Sequence, residues 1–253
     1  MAIGITAAVF VLLARLLRLR GVFAAAFVYG TFWANVSYLG FPLAENALGS
    51  DGLALAAVYN AFVMPAFIIL AYLFIALYGG GESAHPAKVL RTIISNPVIG
   101  SALLGIAAAL AADRYRAMTG HTSLPPALDS ARAVAYSFLE LLGRMGLPLA
   151  LLGIGGALHM PKNREHRSAL LLVVGGKLIL LPLLTLILLI LLFPQASQQA
   201  TAIAVLMSST PLAVASYVVG RNLGVDEGFL ASLLVVSTAA SVVAVPAWLY
   251  FVL

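Results

Sequence analysis

Hydrophobic residues occur in this chain in long runs, apolar on every side, with short polar or basic stretches between them. Eight runs are long enough to cross ~30 Å of hydrocarbon. They lie near residues 2–18, 22–48, 52–78, 92–112, 131–158, 168–193, 198–222 and 228–252. This pattern predicts an all-α membrane protein with eight transmembrane helices. Two of the runs are interrupted at their middles by residues a membrane helix avoids. The first interruption reads Phe32-Trp33-Ala34-Asn35-Val36-Ser37-Tyr38-Leu39-Gly40-Phe41-Pro42, and the second Ser208-Ser209-Thr210-Pro211-Leu212-Ala213. In lipid every backbone polar group must find a partner inside the protein. A broken helix at membrane depth is therefore tolerated only where it is buried or lines a cavity. Two such breaks in corresponding places point to a transporter's substrate site.

The breaks belong to a repeat. Aligning Gly49-Ser50-Asp51 with Gly224-Val225-Asp226 sets Val36 opposite Pro211. Spans one to three then match spans six to eight in order: an apolar span, a broken span, a tight Gly-x-Asp turn and a long span. An odd number of crossings separates the two sets, so they run in opposite directions, an inverted-topology repeat. Spans four and five have no partner before span one. A five-plus-five arrangement needs two further N-terminal helices, so the expectation is a chain lacking them. The organisation that follows is a first-repeat remnant over 1–79, scaffold helices over 80–160 and a second repeat over 161–253.

Composition agrees: 62% of residues are hydrophobic, 9% are charged, and the mean hydropathy is +1.06. The net charge of +5 is an orientation signal. Arg15, Arg18, Arg20, Lys88, Arg91, Lys162, Arg164, Arg167 and Arg221 fall on one side, and only Arg114, Arg116 and Arg132 on the other. That bias places both termini outside, and nucleic acid is not an expected partner. Arg15 and Arg18 follow the first apolar run, the reverse of a charged leader, so that run is not read as a signal peptide. The absence of cysteine excludes disulfides and thiolate metal sites.

Several motifs carry a family resemblance. The run Asn35-Val36-Ser37-Tyr38-Leu39-Gly40-Phe41-Pro42-Leu43 resembles the fourth helix of the auxin efflux carrier family. Ser95-Asn96-Pro97-Val98-Ile99-Gly100 and Gly146-Leu147-Pro148-Leu149-Ala150-Leu151-Leu152-Gly153 resemble its sixth and seventh. Lys177 with Leu181-Pro182-Leu183 resembles its eighth, and Pro211-Leu212-Ala213-Val214-Ala215 through Gly224-Val225-Asp226 its ninth. The resemblance implies a ten-helix secondary transporter with two crossed, broken helices, related in fold to bile-acid sodium symporters. It implies a mobile transport domain working against a scaffold, and substrates such as auxin in plants and malate or malonate in bacteria. This chain departs from the pattern in lacking the first two helices, in having Ala34 where plant members commonly have proline, and in having Arg144 where an acidic residue is frequent.

The breaks themselves suggest chemistry. A broken helix frees amides at the positive end of a helix dipole, and two such ends meeting at mid-membrane make an anion site. Asn35 can donate to a carboxylate or hold loose backbone groups. Pro211 lacks an amide and forces the second break, beside Leu212. The hydroxyls of Ser37, Tyr38, Ser208, Ser209 and Thr210 either reach substrate or only patch the kinks. Lys177 lies well inside span six with no charge near it in sequence. A charged lysine at that depth costs at least ~2.5–3.5 kcal/mol, so it should face protein or water. Three readings of it stay open: substrate counter-ion, stand-in for a coupling cation, or snorkelling structural residue. Asn60 and Tyr59 can line the cavity, or Asn60 can bond a neighbouring helix. Glu140 and Arg144 read as an i, i+4 pair, or Glu140 as a proton relay.

Asn96-Pro97 reads as a helix start, and Pro86 to Ser95 as a short interfacial helix. Gly153, Gly155, Gly156, Gly175 and Gly176 read as close-packing positions. His85, His121, His159 and His166 have no ligand spacing, and no P-loop, Gly-x-Ser-x-Gly or His-Glu-x-x-His motif occurs. No metal, cofactor or enzymatic activity is expected. The function expected is a plasma-membrane permease for a small organic anion, with a possible homodimer through spans four and five. No acidic residue lies at either break, which disfavours sodium coupling. The alternative is a non-transporting membrane protein, structural or sensory, that keeps the binding site.

Overall fold

A computed structural model describes residues 1–78, 95, 97–120, 130–142, 145, 164–222 and 224–253. Among these the chain is helical throughout, with one isolated two-residue bridge and no strands. The helices are α1 (Ala2–Leu16), α2 (Gly21–Tyr29), α3 (Phe41–Tyr78), α4 (Pro97–Thr119) and α5 (residues 130–142). They continue with α6 (Arg164–Gly175), α7 (Leu181–Leu192), α8 (Gln198–Ser209), α9 (Val214–Asn222) and α10 (Glu227–Val252). Two π-helical turns, Val36–Gly40 and Gly176–Leu180, lead into α3 and α7. The interfacial segment 86–95, Arg144 and the glycines at 153, 155 and 156 lie outside the described residues, apart from Ser95.

Among the described residues, three stretches are long and apolar enough to cross a membrane: Val36–Phe74, His166–Leu192 and Glu227–Val252. The described residues thus hold fewer such stretches than the eight spans expected, and the first of them is interrupted at Gly49. One reason lies in the breaks. They leave half-helices of 9, 12 and 9 residues in α2, α8 and α9, each ~14–18 Å long at 1.5 Å per residue, about half the hydrocarbon thickness.

The chain divides into two units, residues 1–90 with 157–253 and residues 91–156. In the first, small residues and aromatic rings stand beside branched aliphatics in the core, while many further leucines face out. On α1, Thr6, Ala7, Phe10 and Ala14 are buried, whereas Leu12 and Leu16 are exposed. Lipid solvates leucine as well as a protein core does, so small inward residues are what let membrane helices approach. Ala24, Ala25 and Ala26 of α2 are buried, and the Phe10 ring lies against Gly176. The remaining expected packing glycine, Gly175, has open space around it. An aromatic cluster of Tyr29, Phe32, Trp33, Phe67 and Phe74 fills the centre, with ring centroids 5.5–6.2 Å apart. In the second unit, α4 begins at Pro97, where the motif placed a helix start, and an exposed Arg116–Asp113 pair at 3.2 Å spans one turn of it.

Both Gly-x-Asp motifs mark interruptions between helices. Gly49 interrupts α3 at φ 65° and Gly224 precedes α10 at φ 75°, a region that only glycine enters freely. Asp226 then caps α10, its carboxylate accepting from the Phe229 amide at 2.9 Å. Past Gly49 the chain folds back, because Gly52 lies against the Ala44 carbonyl and Leu48, whereas a straight helix would hold Ala44 ~12 Å away along its axis. A methyl group at Gly52 would collide with backbone. Gly52→Ala should therefore lower the thermal midpoint of the purified protein, reflecting an overpacking cost of about 1–3 kcal/mol. Gly105→Ala, where nothing lies within 4 Å, should leave it unchanged.

Candidate functional site

Local sequence stops both broken helices. In α8, Pro211 pushes the residue before it out of the helical region, and Thr210 sits at φ −62°, ψ 149°. In α2, the last amides close onto Ala26 and Val28, and the Thr31 hydroxyl caps the Val28 carbonyl at 2.7 Å. The chain then runs non-helically to Asn35.

The two breaks satisfy one another. The Asn35 amide donates to the Pro211 carbonyl at 2.9 Å, and the Ala213 amide donates to the Trp33 carbonyl at 3.1 Å. Ala34 and Leu212 between them form an isolated antiparallel bridge. The two bonds exchange when Trp33 is matched with Pro211 and Asn35 with Ala213. The glycine turns instead match Val36 with Pro211, so the sequence alignment is out of register at the breaks. The first break lies further ahead of Gly49 than the second does of Gly224, and the extra length includes the π turn. Two further bonds fasten the junction. The Leu212 amide donates to Ser237 Oγ on α10 at 3.2 Å, and the Tyr29 hydroxyl donates to the Ser216 carbonyl at 2.7 Å.

Beyond the bridge, two helix beginnings stay uncovered among the described residues. The Asn35 carbonyl accepts from Leu39 and Gly40, so the amides of Val36, Ser37 and Tyr38 precede any intrahelical partner. In α9 the first bond runs from Ser216 to Ala213, leaving the amides of Val214 and Ala215 in the same position. Asn35 is 7% exposed, and among the described residues no group holds its carboxamide. Both helix beginnings carry partial positive charge from their dipoles, and the carboxamide adds a neutral donor.

The other side of the second break is closed. Lys177, fully buried, donates from Nζ to the Ser208 carbonyl at 2.8 Å, at the C-terminal end of α8. The Ser208, Ser209 and Thr210 hydroxyls donate to the carbonyls of Val205, Leu206 and Met207 at 2.8–2.9 Å. Lys177 lies in the π turn Gly176–Leu180. The extra residue of such a turn disturbs the regular ladder of backbone bonds, and Trp248 Nε1 donates to the Leu178 carbonyl at 2.8 Å.

The structure thus joins Asn35, Pro211 and Leu212 directly, and Lys177 through Ser208. Ser37 and Tyr38 stand half-buried in the first π turn, while Ser209 and Thr210 are buried. Asn60 is bonded to neither break, and its Oδ1 is buried without a partner among the described residues. Glu140 lies on α5, in the other unit. A cavity of about 410 Å³ opens elsewhere, among Met1, Tyr59, Thr185, Leu189 and Ala204, and contains none of the residues at the breaks. No cluster of potential metal ligands occurs among the described residues. Sequence reasoning missed Trp33, Tyr29, Ser237 and Trp248. Trp33 stands inside the quoted motif but reads there as one more apolar residue; the other three reach the site only through folding.

Comparison with known proteins shows the family of this chain. A family model described as "Membrane transport protein" matches residues 1–249. The chain belongs to that family, the auxin efflux carrier family of the resemblance above, and is a multi-pass membrane protein. It is 28% identical over 223 residues to a Rhizobium meliloti protein named "Putative malonate transporter", covering 87% of this chain and 64% of that protein. It is 26% identical over 214 residues to an "Uncharacterized transporter" of Methanothermobacter thermautotrophicus, covering 85% and 63%. The chain therefore spans a little under two thirds of the length of these relatives.

Ser237→Ala tests the junction. It leaves the buried Leu212 amide unpaired, so stability should fall by about 1–3 kcal/mol, read as a lower thermal midpoint.

Proposed function

We propose that this protein is a secondary transporter that carries a small organic anion, a carboxylate, across the plasma membrane. The observation that carries the reading is the meeting of two uncovered helix beginnings beside the free Asn35 carboxamide. Five backbone amides stand at the positive ends of their helices, a ready-made anion site, buried among helices that hold no carboxylate at either break. Membership of a membrane transport family supports movement of the ligand across the bilayer. The name of the Rhizobium meliloti relative supports malonate as a first substrate to try.

The inverted repeat of eight spans supplies the mechanism. The paired breaks ride on a mobile domain that rocks, or slides as an elevator, against scaffold helices, alternately opening the site to each face. Lys177 acts as a resident cation at the second break. Protonated, it neutralises the carbonyl end of α8, where a dipole would otherwise present negative charge, and raises the potential felt by an anion at the neighbouring amides.

Uptake of labelled malonate, malate and indole acetate into liposomes holding the purified chain tests the reading. Flux of at least one anion is expected, and ligand binding without flux would instead support the non-transporting alternative. Lys177→Ala should abolish flux while the protein still expresses and inserts; retained transport would refute its electrostatic role. Asn35→Ala should raise the half-saturating concentration about tenfold, the loss of one hydrogen bond to a charged group.

A further inference from the structure

Trp33 presents a buried donor that nothing among the described residues uses. Its residue is 2% exposed, and Nε1 is fully buried with no hydrogen-bond partner there. A buried N–H without a partner is expensive in a protein interior, and each such group calls for an explanation. Trp248, the other of the chain's two tryptophans, has its N–H on the Leu178 carbonyl. The Trp33 indole cannot readily turn to find an acceptor. Phe67 stacks on it at 5.8 Å and 28°, and the Tyr29 ring lies 5.5 Å away.

Its place in the break explains the unused donor. Trp33 and Asn35 flank Ala34, the residue held in the bridge to Leu212. Neighbours on either side of an extended residue project to the same face, opposite to it. The Trp33 and Asn35 side chains therefore leave the backbone on one face of the break, immediately before the amides of Val36, Ser37 and Tyr38. We propose that the Trp33 indole N–H is a substrate-binding donor that, with the Asn35 carboxamide, takes the carboxylate of the transported anion. The assignment rests on the transport reading above and adds a residue to its site. An indole N–H only donates, so it suits a deprotonated carboxylate, which accepts, and offers nothing to a ligand group that must itself donate.

Trp33→Phe keeps an aromatic ring for Phe67 and removes the donor. In liposomes the half-saturating concentration for malonate should rise about tenfold, with the maximal rate changed less than about twofold. The thermal midpoint should hold or rise, because a buried orphan disappears. An unchanged half-saturating concentration would overturn the assignment. A lowered midpoint with unchanged uptake would show that the N–H serves an internal water instead. Should the variant fail to fold, the full chain labelled with ¹⁵N-tryptophan gives two indole resonances, the one lost in Trp248→Phe belonging to Trp248. Added malonate should move the Trp33 resonance downfield and saturate over the range in which uptake saturates. A stationary resonance during active uptake overturns this assignment alone, whereas no uptake of any anion by the unaltered chain overturns the transport reading and this assignment with it.

Discussion

Everything at the centre of this protein follows from the need to satisfy broken backbone inside a membrane. A helix that stops at half depth exposes carbonyls on one side and amides on the other, with no water to take them. Here the two broken helices answer much of that need with each other, through the Ala34–Leu212 bridge and the two bonds around it. The bridge holds together segments from the early and late parts of the chain. Once it forms, α2, α8, α9 and the start of α3 have little freedom to choose another arrangement.

What the bridge leaves over is asymmetric, and the proposed function rests on that asymmetry. At α8 the carbonyl end is closed, by Lys177 on Ser208 and by hydroxyls on the last turn. The amide ends of α9 and of the turn before α3 stay open. A break patched only for stability would show both kinds of group satisfied. On the function proposed above, one closed negative end and two open positive ends form a region suited to an anion.

Both π turns sit beside this region, one directly after Asn35 and one around Lys177. An inserted residue rotates the following helix by about 100° relative to the preceding one, and such turns recur at functional sites. At Lys177 it helps a residue on a long lipid-flanked helix face inward, and Trp248 takes a carbonyl in the same turn. The surrounding packing makes room for this. Gly176 admits the Phe10 ring, Gly40 admits Met207, and Gly220 admits Leu230. Close approaches of this kind hold membrane helices together when lipid removes the hydrophobic drive between them.

The sequence alone showed that the chain is an apolar, helical membrane protein, that two spans break, and that Gly49 and Gly224 mark turns. These are local properties: run length, a proline's missing amide and a glycine's access to positive φ act wherever the residue sits. It also singled out Asn35, Pro211 and Lys177, because a polar residue or a proline within a hydrophobic span has few inert explanations. Folding decided which carbonyl Lys177 would hold, and that the hydroxyls of Ser208, Ser209 and Thr210 would turn back on their own helix. In the folded bridge Trp33 corresponds to Pro211 within the repeat, where the sequence alignment had placed Val36. Folding also left the Trp33 N–H without a partner among the described residues, while Trp248 found one. Such outcomes depend on which groups meet across long stretches of chain, and hydrogen bonds of a few ångströms carry no trace of themselves in residue order.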